Sequence, residues 1–89
     1  MKEGKIIKYY KNNNELDLEK IVDEYNNYIH KVIKNMNYYK FSNEDIEEIV
    51  ADTFFIIWKN RKKLDENKML SSYIAGIVKN LVREKRKNY

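Results

Sequence analysis

The chain has 89 residues, a net charge of +4, no cysteine, no proline and one histidine. A chain of this length forms one small domain, and the absence of cysteine excludes disulfides and thiolate sites. No apolar run approaches the roughly 18 residues of a membrane span and no signal peptide is present, so we expect a cytoplasmic protein without metal, cofactor or membrane.

Three segments carry apolar residues at helical spacing, which together with the lack of proline favours an all-α fold. Residues 1–14, which end in an Asn run, are predicted to be a flexible N-terminal leader, and residues 15–89 to be the helical domain. The first predicted helix lies near 17–37. Its expected buried stripe is Ile21, Val22, Tyr25, Ile29, Val32, Ile33 and Met36. His30 lies opposite this stripe and is expected to face solvent.

The second predicted helix lies near 43–62 and carries an aromatic residue outside its apolar face. Ser42 and Asp45 form a predicted capping box at its start. Its expected buried face is Ile46, Ile49, Val50, Thr53, Phe54 and Ile57. Phe55 falls on the opposite side, and leaving it exposed forgoes roughly 1.5–3 kcal/mol of burial.

Carboxylates surround this exposed aromatic residue. On the surface of the predicted helix, Phe55 is flanked by Glu48 and Asp52, and it forms a small apolar strip with Ala51 and Ile56. Such a strip is typical of a helix that docks on a partner helix with basic flanks. The alternative is that Phe55 is one of the single exposed apolar residues common on protein surfaces.

The third predicted helix lies near 70–87, with Ser71 or Ser72 as its cap. Its expected buried face is Leu70, Tyr73, Ile74, Ile77, Val78 and Leu81, with Val82 at the margin. Three helices joined by short loops predict a compact three-helix bundle.

The other side of the third helix is small, polar and basic. It consists of Ser72, Gly76, Lys79, Arg83, Arg86 and Lys87, with Ala75 and Asn80 at its edges. Such a stripe can follow phosphates, and Asn80 can hydrogen-bond a base edge. A glycine at position 76 costs about 1 kcal/mol but allows another backbone to approach closely. The helix dipole alone explains Arg86 and Lys87, but not Gly76 with Lys79.

The segment before this helix combines bases and amides with an aromatic residue. Its members are Lys62, Lys63, Asn67 and Lys68, followed by Ser71, Ser72 and Tyr73. These are the ingredients of single-strand capture, although most loops of this composition are only solvated.

Charge is strongly segregated along the chain. Residues 1–40 carry eight basic and six acidic side chains, residues 41–58 five acids and no base, and residues 59–89 ten bases and three acids. This distribution suits a basic protein surface as partner of the middle segment and nucleic acid as partner of the last one. The alternative is that these faces are merely solvated.

The segments DIEEIVADTFFIIWKNRKKLD and YIAGIVKNLVREKRK resemble region 2 of bacterial RNA polymerase sigma factors, most closely the extracytoplasmic-function (ECF) type. The usual pattern there is near DAEDLVQETFLRVWRN, followed by FRAWLYRIARNLAIDYLRR. The resemblance covers about residues 15–88. It implies a sigma region 2-like helical bundle that takes part in transcription initiation.

The resemblance also implies roles for both spare faces. The second helix would dock on the clamp helices of the polymerase β′ subunit through Glu48, Ala51, Asp52, Phe55 and Trp58. The third helix would recognise and open the promoter minus-10 element through Tyr73, Gly76, Lys79, Asn80 and Arg83. The loop 64–72 would hold a flipped base of the non-template strand.

The chain departs from the family pattern at several positions. Ala51 replaces the usual Gln, Ile56 a usual Lys or Arg, Tyr73 the usual Trp, and Gly76 a common polar residue. A typical member continues into region 4, which reads the minus-35 element. The resemblance therefore implies either an excised domain or a protein that needs a separate region 4 polypeptide, and an anti-sigma factor as a further partner.

Three other function classes fit the residues less well. A three-helix interaction or regulatory module that mimics region 2 would keep the acidic Phe55 face without DNA binding. A helix-turn-helix protein needs a tight turn, whereas the loop near 62–69 is long. An enzyme is disfavoured because the carboxylates have no histidine nearby and no phosphate-binding glycine loop or nucleophile is evident.

Overall fold

The computed structural model describes residues 2–37 and 40–88, with side chains from Lys5 onward. Every regular element in these ranges is helical, which confirms the predicted all-α class. The helices are α1 (Lys2–Asn13), α2 (Leu18–Asn35), α3 (Asn43–Lys59) and α4 (Leu70–Arg86), with one 3-10 turn, Arg61–Lys63. The three predicted helices are α2, α3 and α4. None of the described helices has the length and apolarity to cross a membrane.

Helix α1 differs from the leader that the sequence predicts for residues 1–14. Ile6, Ile7 and Tyr10 are buried in the same core as the other helices, and α1 contacts α4. Their spacing places all three on one side of a helix, and burial of that side stabilises α1. The Asn run does end the helix, because Asn14 adopts a left-handed conformation with φ of 54°. Met1 and Tyr89 of the predicted segments lie outside the described residues.

The core lies where α2, α3 and α4 pack against one another. The predicted face of α3 is confirmed: Ile49, Val50, Thr53, Phe54 and Ile57 are buried, and Ile46 is partly buried. The α2 stripe is confirmed in the same way, with Val22 and Met36 partly buried. The single buried polar side chain among the described residues, Thr53, donates its hydroxyl proton to the Ile49 carbonyl at 2.8 Å, so its burial leaves no unpaired polar group.

The start of α3 agrees with the sequence, whereas the start of α4 does not. The Asp45 amide donates to Ser42 Oγ, and the Ser42 amide donates to the Asp45 carboxylate, which is the predicted capping box. Helix α4 instead begins at Leu70, and its N-cap Met69 makes no side-chain cap hydrogen bond. The predicted Ser71 or Ser72 cap is therefore wrong. Leu70 is almost fully buried, so core packing fixes this helix start and leaves both serines inside the first turn.

The buried side of α4 is rotated relative to the prediction. Ile74, Val78 and Val82 are fully buried, so Val82 belongs to the core rather than its margin, whereas Tyr73 is 38% exposed. The predicted residues Ile77 and Leu81 are only partly buried. Contact with both α2 and α3 centres the buried side of α4 on the line of Leu70, Ile74, Val78 and Val82, a tertiary effect that the spacing of apolar residues in α4 alone does not fix. His30 also differs from expectation: it is half-buried, and its Nε2 lies 3.7 Å from Glu47 Oε1.

Candidate functional site

The acidic strip of α3 consists of Glu48, Ala51, Asp52, Phe55 and Trp58, and all five are exposed. Phe55 is 61% exposed and Trp58 40% exposed, although both belong to a helix whose other side fills the core. Glu48 and Phe55 are seven residues apart and therefore lie in line, two turns from each other. The structure thus places the five sequence-predicted residues on one accessible surface.

An arginine that the sequence analysis does not assign covers part of this strip. The Arg61 guanidinium stacks 4.1 Å from the centre of the Trp58 ring and donates a hydrogen bond to the Trp58 carbonyl at 3.0 Å. Cation–π contact holds the indole in place and adds a positive charge at the C-terminal end of the strip. The Trp58 ring is therefore held against Arg61 with 40% of its surface exposed.

The other end of the strip is held by Lys85 of α4. Its ammonium group donates to the Glu48 carboxylate and lies 3.8 Å from Asp45 Oδ1, while the Lys85 side chain is only 17% exposed. The hydrogen bond to Glu48, together with the nearby charges of Asp45 and Asp52, raises the pKa of Lys85 above its ordinary value of 10.5. Glu48 is therefore already engaged within the chain, and Glu48, Asp52 and Lys85 together line a shallow cleft between α3 and α4.

The basic face of α4 consists of Ser72, Gly76, Lys79, Asn80, Arg83, Arg86 and Lys87, and all seven residues are exposed. Arg83 donates a long hydrogen bond of 3.5 Å to the Asn80 side chain, so these two residues support each other. A Cβ at position 76 would meet no heavy atom within 4 Å beyond the adjacent residues and backbone of its own helix. Packing within the described chain therefore does not require glycine there, and the backbone at this position is open to close approach from outside.

A pocket of about 270 Å³ lies between α1, the loop after α3 and the start of α4. Lys63, Lys68 and Tyr73 line it together with one carboxylate, Asp65, and four apolar residues, Ile7, Leu64, Met69 and Leu70. The structure thus joins three of the predicted loop residues around one cavity. Lys62, Asn67, Ser71 and Ser72 are not part of its lining.

The remaining loop residues have their own contacts. The Lys62 carbonyl accepts a hydrogen bond of 2.9 Å from Lys11 Nζ, which ties α1 to the loop. The backbone N–H of Asn67 donates a hydrogen bond of 2.9 Å to the Asp65 carboxylate, and this local turn fixes the loop backbone. These contacts hold the loop backbone beside the pocket, although neither Lys62 nor Asn67 lines it.

Sequence reasoning missed Lys85, Arg61 and Ile7 as contributors to these surfaces. Lys85 follows Val78 by seven residues, so helical periodicity alone places it on the buried side of α4, where a cation requires a partner. Arg61 follows Trp58 by three residues at the end of a helix, a spacing that allows stacking. Ile7 belongs to a short apolar signal, but that signal alone does not indicate which surface α1 packs on. No cluster of His, Asp or Glu suited to a metal ion occurs within the described ranges.

Comparison with protein families identifies the chain. The family model of Sigma-70 region 2 matches residues 21–88, most of the chain. The chain therefore belongs to the sigma-70 region 2 family, a non-enzymatic class that in general binds RNA polymerase and recognises promoter DNA. Comparisons with curated proteins and with solved structures gave no significant match.

Proposed function

We propose that the chain is an ECF-type sigma region 2 domain that brings core RNA polymerase to promoters in the bacterial cytoplasm and opens their minus-10 element. The observation that carries the proposal is Phe55, an aromatic residue 61% exposed at the centre of an acidic helix face. Burying such a residue on a partner supplies the hydrophobic part of an interface, and the surrounding carboxylates select a basic partner.

In this proposal the acidic strip docks on the clamp helices of the β′ subunit. Phe55 and Trp58 insert between partner side chains, while Asp52 pairs with a basic residue. Ala51, where the family usually has Gln, lets the partner helix approach closely and offers no side-chain hydrogen bond.

The test for this face is a pull-down and titration with isolated β′ clamp helices. Phe55→Ala should weaken binding by about 2 kcal/mol or more, roughly 30-fold, because central aromatic anchors dominate interfaces. Asp52→Lys should weaken it further at low salt by placing like charges together. Tyr9→Ala and Asp23→Lys are matched controls, since both residues are exposed on other helices. Equal binding by Phe55→Ala and Tyr9→Ala contradicts the proposal.

The basic face of α4 and the loop pocket bind the minus-10 element. Lys79 and Arg83 contact phosphates, Asn80 contacts a base edge, and Gly76 allows the strand to lie against the helix. The pocket holds one flipped base of the non-template strand, stacked on Tyr73, with Lys63 and Lys68 beside its phosphates. A volume of about 270 Å³ suits one base, being just below the range for drug-sized ligands.

Two measurements on forked AT-rich DNA test this part. Each lost phosphate contact lowers the log–log salt slope by about 0.7–0.9, so Lys79→Ala with Arg83→Ala should lower it by roughly 1.5. The pair Lys20→Ala with Lys34→Ala, on exposed positions of α2, should leave it unchanged. An unchanged slope in the first pair argues against this face.

The base pocket has a separate test. Tyr73→Ala should cost about 1–3 kcal/mol of binding to the forked DNA, because one base loses its stacking partner. Tyr73→Trp restores the usual family residue and should retain the affinity. If Tyr73→Ala binds the fork as tightly as the wild type, no base stacks on this residue.

A regulatory module that mimics region 2 without binding DNA is the second candidate. The exposed acidic strip supports this regulatory candidate as much as the transcription-initiation candidate, because the strip alone suffices to bind a protein partner. That partner can also be an anti-sigma factor. Absence of DNA binding by the wild type at low salt, together with clamp-helix binding that depends on Phe55, would establish this alternative.

A further inference from the structure

A groove of about 420 Å³ runs between α2 and α4, outside the surfaces assigned so far except for Lys79. Lys31 and Asn35 are the polar residues of its α2 side, next to the apolar Val32 and Met36, and Ala75 and Lys79 line its α4 side. The Tyr28 hydroxyl, which also lines the groove, donates a hydrogen bond to the Ser71 carbonyl at 3.3 Å. This bond links α2 to the first turn of α4 at the groove.

The charge of the groove indicates an anionic occupant. Lys31 and Lys79 are both exposed and come from different helices, and no carboxylate is among the described residues that line the groove. Two cations facing one concavity repel each other unless an anion lies between them. The Asn35 amide adds a neutral hydrogen-bond donor on the same wall.

The position of the groove indicates which anion it receives. Lys79 belongs both to the groove and to the basic face of α4, so the two surfaces are continuous. Ala75 is small and Gly76 next to it has open space, which lets a chain pass from one surface to the other. A polymer with regularly spaced negative charges can follow this path.

We propose that the groove binds the phosphodiester backbone of the DNA strand held by α4, with Lys31 and Asn35 as additional phosphate contacts. The inference rests on the proposed function and extends the DNA interface from α4 onto α2. Lys31 contributes charge, and Asn35 donates a hydrogen bond to a phosphate oxygen. Neither residue reads a base, so the contribution is independent of sequence.

The test compares Lys31→Ala with Lys34→Ala in the whole chain, using labelled forked AT-rich DNA at a series of salt concentrations. Lys34 is a matched control, because it is exposed on the same helix three residues away and does not line the groove. Lys31→Ala should weaken binding roughly threefold to tenfold and lower the salt slope by about 0.7–0.9, equally for fork sequences of different composition. Lys34→Ala should match the wild type, and both variants should unfold at the wild-type temperature.

The outcomes separate this inference from the proposed function. If the wild type binds no DNA, both fail. If Arg83→Ala weakens binding while Lys31→Ala equals Lys34→Ala, only the groove inference fails. Inorganic phosphate titrated alone is the second arm of the test. Saturable phosphate binding that requires Lys31, with DNA affinity independent of Lys31, assigns the groove to a free anion and overturns the proposal.

Discussion

Replacing Lys85 with methionine tests how α3 and α4 are held together. Lys85 is 17% exposed and pairs with Glu48 and Asp45, whose side chains are 61% and 20% exposed. Methionine keeps most of the aliphatic length that packs beside the core but removes the charge. The substitution therefore isolates the electrostatic part of the contact.

The expected cost follows from these exposures. Two unit charges 4 Å apart attract by about 4 kcal/mol at the effective dielectric constant of ~20 near a protein surface. Desolvation and side-chain ordering offset most of this, and exposed pairs are measured at about 0.2–1 kcal/mol each. With two such pairs, one of them largely buried, Lys85→Met should cost about 1 kcal/mol. For a domain of this size that lowers Tm by roughly 4–8 °C.

The assay is thermal and urea unfolding followed by circular dichroism, with Lys87→Met as the control. Lys87, the C-cap of α4, pairs with Glu84 three residues earlier, and both side chains are more than 70% exposed, so its loss should cost roughly 0.2–0.5 kcal/mol. If Lys85→Met is no more destabilising than Lys87→Met, the reasoning is refuted.

The stability difference between the wild type and Lys85→Met is predicted to depend on pH. The raised pKa of Lys85 means that the folded chain binds this proton more tightly than the unfolded chain does. The stabilisation is therefore fully present below the ordinary value of 10.5 and is lost as pH rises through the higher folded-state value. The stability difference between wild type and Lys85→Met should stay constant from neutral pH toward 10.5 and shrink above it.

The remaining predictions concern the helix start, the glycine and the strip. Gly76→Ala should stabilise the fold by about 1 kcal/mol in urea unfolding, since the added Cβ meets no atom, yet weaken binding to forked DNA. Ser42→Ala should cost about 1 kcal/mol through loss of the capping box, while Ser72→Ala, which removes no cap, should be neutral in the same assay. In clamp-helix titrations, Asp52→Asn should weaken binding more than Glu48→Gln, because Glu48 is already paired with Lys85.

Helix α3 shows how much of this fold is predictable from sequence. Its buried face, its capping box and the exposure of Phe55 all follow from local rules, namely a period of 3.6 residues and the hydrogen-bond needs of a helix start. The composition of the candidate strip follows as well, because it is the remainder of the same helix.

Features that depend on contact between distant segments were not predictable. Ile6 and Ile7 give a short apolar signal, and only the surface offered by α4 and the neighbouring loop turns it into a packed helix. The start of α4 is fixed by burial of Leu70, which outweighs the preference of serine for a cap. The pairing of Lys85 with Glu48 and Asp45 could be predicted only by knowing that α3 and α4 are neighbours.

The basic residues of α4 lie on two sides of that helix, and one of these sides contacts the acidic residues of α3. Lys79 and Arg83 lie on the exposed side of α4, whereas Lys85 lies on its core side and is captured by α3. Capture engages Glu48, so we expect docking of the proposed basic partner to depend chiefly on Asp52 and Phe55. Removing the Lys85 charge should therefore release Glu48 for that partner. The Lys85→Met protein should be less stable yet bind clamp helices at least as tightly as the wild type, a combination that no purely structural role for Glu48 produces.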